Sequence, residues 1–137
     1  MQAPSAAAGA PATRQIRLTL DSVPENVAVV RHVLTGFGAA LGLDPHTTND
    51  LRLAASEACT NAVVHAYAEG DPGVMELDAD LDPPLLRITV RDCGTGIALR
   101  PGSPGLGLGL PLLAALSDKL EVESADGVTE VRMAFLI

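Results

Sequence analysis

The sequence predicts an α+β domain, a two-layer α/β sandwich in which helices cover one face of a mixed, mainly antiparallel sheet. Two observations support this prediction. Five segments show the two-residue apolar alternation that is typical of half-buried strands. Two long segments carry apolar residues at helical spacing, and a third, shorter helix follows a glycine-rich stretch.

Composition limits the class of protein. A chain of 137 residues is the size of one domain with a substantial core. Nine Lys and Arg against 17 Asp and Glu give a net charge of −8, so we expect a protein partner and no nucleic acid. The chain has no export signal and no window of about 18 apolar residues. We therefore expect a soluble, cytoplasmic protein with no membrane contact.

Residues 1–13 are rich in Ala, Pro, Ser and Gly, which predicts a disordered tail before a domain that covers residues 14–137. The two cysteines, Cys59 and Cys93, are expected to be unpaired, as is usual for thiols of cytoplasmic proteins.

The first two elements follow from apolar spacing. A strand is predicted over Gln15 to Leu20, where every second residue is apolar. A helix is then predicted from Pro24 until Gly42, because its apolar residues recur at intervals of three and four. This apolar stripe consists of Val27, Val30, Leu34, Phe37 and Leu41.

A second helix is predicted from about His46 to Ala68. Asp44 is suited to cap its N-terminus, and Pro45 to occupy its first turn. Alanines dominate the inner face of this helix, which allows close approach to a neighbouring element.

The same helix carries a polar ridge. Glu57, Asn61 and His65 follow one another at intervals of four residues and therefore lie on one face. Taken singly, each has an ordinary structural explanation, and for His65 that explanation remains open. Glu57 and Asn61 together offer a carboxylate and an amide to the same small volume, as a Mg-nucleotide site requires.

The second half of the chain predicts four more strands and a short helix. Asp82-Pro83-Pro84 is a tight connection, which favours an antiparallel pair on either side of it. The strands are Val74 to Leu81, Leu85 to Asp92, Leu120 to Ser124 and Val128 to Ile137, and the glycine-rich helix runs from Leu106 to Leu116.

Strand alternation places two polar side chains on the core face. If Leu86, Ile88 and Val90 point inward, Asp92 does so as well, and the same rule turns Thr129 inward. A buried carboxylate needs a hydrogen-bonding partner, for which the amino group of a ligand is a candidate. The Gly-x-Gly turn that follows Asp92 would let backbone approach a flat or charged ligand.

These segments resemble the motifs of the Bergerat ATP-binding fold of the histidine kinase-like ATPase superfamily. Within it, they most resemble the anti-sigma factor serine/threonine kinases. Ser56 to Tyr67 matches every fixed position of that family's N box, S-E-A-x-x-N-A-x-x-H-x-Y. Asp92 to Ile97 matches its D-x-G-x-G-I box, Gly107 to Leu110 its second glycine box and, less well, Gly127-Val128-Thr129 its terminal element.

The resemblance implies a role for each matching residue. Asn61 would bind Mg²⁺, and Glu57 would act as general base on, or would orient, a serine or threonine hydroxyl. Asp92, helped by Thr129, would accept a hydrogen bond from adenine. The remaining nucleotide contacts would come from His65, Gly94, Gly96, Ile97, Arg100, Gly107, Leu108 and Gly109.

The resemblance also implies a partner-switching function. ATP and Mg²⁺ would be the cofactors, the phosphoryl acceptor would be an anti-anti-sigma (STAS) protein, and a sigma factor would be sequestered by a homodimer. The segment 97–104, which corresponds to the lid over the nucleotide, is short for the family. An ATP-binding partner switch with little or no kinase activity is therefore the alternative. A histidine kinase is disfavoured, because 137 residues leave no room for an upstream phosphoacceptor helix pair.

Overall fold

The computed structural model describes residues 14–69, 73–92 and 106–137. Each predicted helix and strand is present there, close to its predicted bounds, whereas the predicted tail 1–13 lies outside the described residues. None of the described helices combines the length and apolarity needed to cross a membrane. The order of elements is β1 (Gln15–Asp21), α1 (Pro24–Leu41), α2 (Pro45–Glu69), β2 (Val74–Asp82), β3 (Leu85–Asp92), α3 (Leu106–Leu116), β4 (Lys119–Ala125) and β5 (Val128–Leu136).

The five strands form one sheet in the order β1-β2-β3-β5-β4. The predicted fold class is confirmed, but every adjacent pair of described strands is antiparallel, so the sheet is not mixed. The reason is the position of β5. Strands β3 and β4 run in the same direction, and β5 lies between them and separates them. The hairpin that brings β5 back turns at Asp126-Gly127, where both residues have positive φ.

Local chemistry fixes the ends of the first two helices. Gly42 adopts a left-handed conformation with φ of 70° and ends α1, and its N–H donates to the Ala39 carbonyl. Asp44 caps α2 as predicted, because its Oδ2 accepts hydrogen bonds from the N–H groups of His46 at 3.1 Å and Thr47 at 3.3 Å.

A single core lies between the helices and one face of the sheet. Helix α2 is central in the helical layer, since it contacts α1, α3 and β3. Its alanines at 54, 55 and 58 are buried, as the sequence predicts. The largest fully buried apolar side chains come from both layers and are Val30, Leu34, Leu51, Leu86, Ile88, Leu113 and Met133.

The other face of the sheet carries a network of ion pairs across neighbouring strands. Arg91 donates to Asp78 at 2.8 Å and to Glu130 at 2.6 Å, while Arg17 donates to Asp78 at 2.8 Å and Arg132 also contacts Glu130. Partial burial raises the pKa of Asp78, but the hydrogen bonds from Arg91 and Arg17 outweigh it and hold this pKa below its usual value. Partial burial also raises the pKa of Glu130, but the hydrogen bonds from Arg132 and Arg91 outweigh it and hold this pKa below its usual value.

We expect Arg91→Met to lower the free energy of unfolding at neutral pH by about 1–2 kcal/mol, because two partly buried carboxylates lose their shared partner. The pKa values of Asp78 and Glu130 are lowered in the folded state, so their stabilisation is present at neutral pH and is lost as pH falls through the folded pKa values. The deficit of the variant should therefore shrink in acid, as urea unfolding across pH would measure.

Arg87→Met is the matched control, because the only ion pair of Arg87 with a described residue is the 3.7 Å contact to the exposed Asp82. Its effect should stay within about 0.5 kcal/mol. A deficit for Arg91→Met that does not change with pH would contradict the role assigned to the network.

Two glycines of α1 should respond in opposite ways to alanine. A Cβ at Gly36 meets nothing within 4 Å, so Gly36→Ala should stabilise the protein by up to about 1 kcal/mol through helix propensity. A Cβ at Gly38 would lie 2.5 Å from Oγ1 of Thr48, so Gly38→Ala should cost about 1–3 kcal/mol. Thermal unfolding of both variants measures the difference, and adding Thr48→Ala should relieve only the second.

Candidate functional site

One side of the candidate site is the edge of the sheet where β3 ends and β5 begins. Asp92, the last residue of β3, lies directly opposite Thr129 of β5 and Met75 of β2. Both neighbours are buried, which places Asp92 on the core face as the strand alternation predicts. The structure therefore brings the carboxylate of Asp92 and the hydroxyl of Thr129 together at one edge.

Ser124 is a neighbour that the sequence analysis missed. It pairs with Thr129 across β4 and β5, and Oγ1 of Thr129 donates to its Oγ at 3.5 Å. A signal was present, because Ser124 continues the inward alternation of Leu120 and Val122.

The other side of the site is the polar ridge of α2. Asn61 is buried, with 8% of its surface exposed, and its Oδ1 has no hydrogen-bond partner among the described residues. Glu57 lies one turn earlier and is half-buried. A buried amide oxygen without a partner calls for an explanation, and a bound cation would supply one.

Helix α3 closes on this pair at Gly109. A Cβ at that position would lie 2.7 Å from Nδ2 of Asn61 and 3.0 Å from Oε2 of Glu57. The first separation is shorter than real Cβ contacts and the second is tighter than most, so a Cβ here would displace the ends of both side chains. The predicted second glycine box and the predicted N box thus meet at a single point.

The available donors fit Mg²⁺, which needs few protein ligands, better than they fit a metal ion that only protein side chains hold. Among the described residues there is no group of three or more His, Cys, Asp or Glu side chains that could hold a metal ion. Mg²⁺ is commonly held by one or two protein oxygens and completed by phosphate oxygens and water. Oδ1 of Asn61 and the nearby carboxylate of Glu57 match that requirement.

Cys59 lies within the same helix but is chemically inert. It is free and buried, and burial raises the pKa of its thiol to about 12. Because the thiolate is the reactive form, Cys59 acts as a small core residue. Cys93 lies outside the described residues.

Several predicted contacts cannot be placed. The side chain of His65 and the residues Gly94, Gly96, Ile97 and Arg100 lie outside the described part of the chain, as does the whole segment 97–104. Gly107 and Leu108 lie in the first turn of α3, immediately before Gly109.

The comparison with protein families agrees with this arrangement. The model of the histidine kinase-like ATPase domain matches residues 20–135, which is most of the chain. The chain therefore belongs to the histidine kinase-like ATPase family, and the prediction made from its motifs is confirmed.

The relatives of this chain are named as serine-protein kinases and anti-sigma factors. The serine-protein kinase RsbW of Bacillus subtilis (strain 168) is 32% identical over an alignment that covers 88% of this chain and 85% of the relative. RsbW of Halalkalibacterium halodurans is 35% identical, with 88% and 83% covered. The anti-sigma F factor of Clostridium beijerinckii is 30% identical, with 77% and 82% covered.

Solved structures show the same fold. The structure of the RsbU and RsbW domains of Rv1364c from Mycobacterium tuberculosis matches with a TM-score of 0.74 and 25% identity, and covers 90% of this chain and 32% of that one. A chain of the SiaB-SiaC complex from Pseudomonas aeruginosa also reaches 0.74, with 89% and 90% covered. At 14% identity, that second match shows the fold alone.

The contact at Gly109 predicts a loss of nucleotide affinity when a Cβ is added there. Gly109→Ala would push the side chains of Asn61 and Glu57 apart, so we expect the affinity for Mg-ATP to fall roughly tenfold or more. Calorimetric titration measures the affinity, and Gly36→Ala is the control because its Cβ meets no neighbour.

The effect should pass through Asn61. In a double-mutant cycle, Gly109→Ala should cost much less once Asn61→Ala is present, because the displaced side chain is already absent. Equal losses in both backgrounds would show that the clash with Asn61 is not the cause.

Proposed function

We propose that this chain is a Mg-ATP-dependent serine/threonine protein kinase that acts as an anti-sigma factor. Its substrate would be an anti-anti-sigma protein of the STAS type, and it would sequester a sigma factor when that protein is not available. The observation that carries the proposal is the pair that Glu57 forms with Asn61 beneath Gly109, because the buried Oδ1 of Asn61 has no partner among the described residues. Relatives named serine-protein kinase and anti-sigma F factor support it.

The nucleotide would lie between the sheet edge and α2. Asp92 would accept a hydrogen bond from the adenine amino group, with Thr129 beside it on the neighbouring strand. The first turn of α3 would direct its free N–H groups toward the phosphates, because a helix N-terminus favours negative charge.

Asn61 would hold Mg²⁺ through Oδ1, and Glu57 is near enough to take part. When bound, the ion would neutralise charge that develops on the phosphate oxygens. This assignment explains why a buried amide oxygen can remain without a partner among the described residues.

Glu57 would serve the incoming hydroxyl. The substrate oxygen forms a bond to the γ-phosphorus, the bond from that phosphorus to the bridging oxygen of ADP breaks, and the hydroxyl proton passes to the carboxylate of Glu57. Most of the rate acceleration would come from positioning and charge stabilisation, as is usual for phosphoryl transfer. The family resemblance adds a homodimer to the proposal, which sedimentation of the purified protein can test.

We expect Glu57→Gln to retain Mg-ATP affinity but to lower phosphoryl transfer roughly 10²–10⁴-fold, because it removes only the base. The measurement is transfer of labelled γ-phosphate to a STAS-domain protein from the same genome, with calorimetric titration in parallel. Glu25→Gln, an exposed glutamate of α1, is the matched control and should leave both quantities unchanged.

The residues that bind the nucleotide should have distinguishable effects. Asn61→Ala should weaken the binding of Mg-ATP but hardly affect the binding of ATP without the metal. Asp92→Asn should weaken the binding of all adenine nucleotides. Wild-type protein that binds Mg-ATP and the STAS protein but transfers no phosphate would favour the partner switch without kinase activity. Transfer by Glu57→Gln at the wild-type rate would refute the role of Glu57.

A further inference from the structure

A pocket of about 130 Å³ opens between α1 and α2, away from the site described above. Arg31 of α1 lines one side. The other side comes from a single stripe of α2, because its members are spaced by three, one and three residues. This stripe consists of Asn49, Arg52, Leu53 and Ser56.

The lining of the pocket is basic, and the described residues contribute no carboxylate to it. Two guanidinium groups, an amide and a hydroxyl face one small volume, in a chain whose net charge is −8. The local charge is thus opposite to that of the whole protein, which favours an anionic ligand at this place.

Two of the polar groups in this lining have hydrogen-bonding capacity that the described residues do not use. Nε of Arg31 donates to Oγ of Ser56 at 2.9 Å, and Ser56 is buried with 6% of its surface exposed. Its hydroxyl accepts this bond and keeps its own hydrogen available to donate. Nε of Arg52 is buried and has no hydrogen-bond partner among the described residues.

A buried N–H without a partner is costly, and a ligand oxygen would relieve that cost. An anionic oxygen relieves it most, because a hydrogen bond from a guanidinium to a charged acceptor is stronger than one to a neutral acceptor. Guanidinium groups bind carboxylate and phosphate through paired, charge-assisted hydrogen bonds.

We propose that this pocket, the α1–α2 pocket, binds a single oxyanion group through Arg52 and Arg31, with Ser56 and Asn49 as further donors. A volume of about 130 Å³ is sufficient for one phosphate or carboxylate group. Leu53, which is 45% exposed at the rim, gives an apolar contact for whatever carries the oxyanion. The proposal does not depend on the kinase function. Glu57 and Asn61 lie on another side of α2, where they face Gly109 of α3.

The test observes the two arginines directly. In protein labelled with nitrogen-15, the Nε–Hε signals of Arg52 and Arg31 are assigned with Arg52→Lys and Arg31→Lys. The protein is then titrated with inorganic phosphate and, separately, with N-acetyl-aspartate amide, at constant ionic strength set by chloride. We expect a saturable shift of the Arg52 signal with an oxyanion and none with chloride alone.

Arg52→Met should weaken the oxyanion affinity reported by the Arg31 signal roughly tenfold or more, because a charge-assisted hydrogen bond is lost. Arg87→Met, which removes an arginine from the opposite face of the sheet, is the matched control and should leave that affinity unchanged. Unchanged backbone spectra would show that both variants remain folded.

The two probes also distinguish the source of the oxyanion. Tighter binding of phosphate indicates free or esterified phosphate, whereas tighter binding of the aspartate compound indicates an acidic side chain of a protein partner. If neither moves the Arg52 signal, or if Arg87→Met weakens binding as much as Arg52→Met, the proposal is overturned. A loss of Mg-ATP binding in a separate titration would count against the proposed function, not against this pocket.

Discussion

The burial of one alanine-rich face of α2 is the constraint on which the rest of the molecule depends. Ala54, Ala55 and Ala58 are almost completely buried, so this helix packs closely against its neighbours with little side-chain bulk between them. Once that face is fixed, the two flanks of the helix have no rotational freedom. One flank must present Glu57 and Asn61 to α3, and the other must present Arg52 and Ser56 to α1.

Both flanks contain polar atoms that the described part of the protein leaves unsatisfied. Oδ1 of Asn61 is a buried acceptor and Nε of Arg52 is a buried donor, and neither has a described partner. Such groups reduce stability, and an ordered water, an ion or a ligand can complete them. Their opposite chemistry is informative, because the acceptor suits a cation whereas the donor suits an oxyanion.

The sheet contributes in a different way to each of its faces. Its inner face supplies the core and, at one edge, the neighbouring side chains of Asp92 and Thr129. Its outer face is covered by ion pairs centred on Arg91, which satisfy charges that none of the described helices covers. A charged outer face also protects the sheet against nonspecific association, and this allows a two-layer domain to leave one side of its sheet without helices.

The sequence by itself determined the helices and strands, since each has a clear apolar period and recognisable ends, such as Gly42 and Asp44 for the first two helices. It also determined which side chains share a face, which is why Asp92 and Thr129 could both be placed on the core face in advance. The tertiary structure alone decided which elements are neighbours. The position of β5 made the sheet antiparallel, and the packing of α3 brought Gly109 against Asn61.

The α1–α2 pocket is likewise a product of packing, because Arg31 and Ser56 are 25 residues apart and no periodicity relates two separate helices. Local patterns depend on interactions within a few residues, whereas these contacts depend on how complete elements pack together.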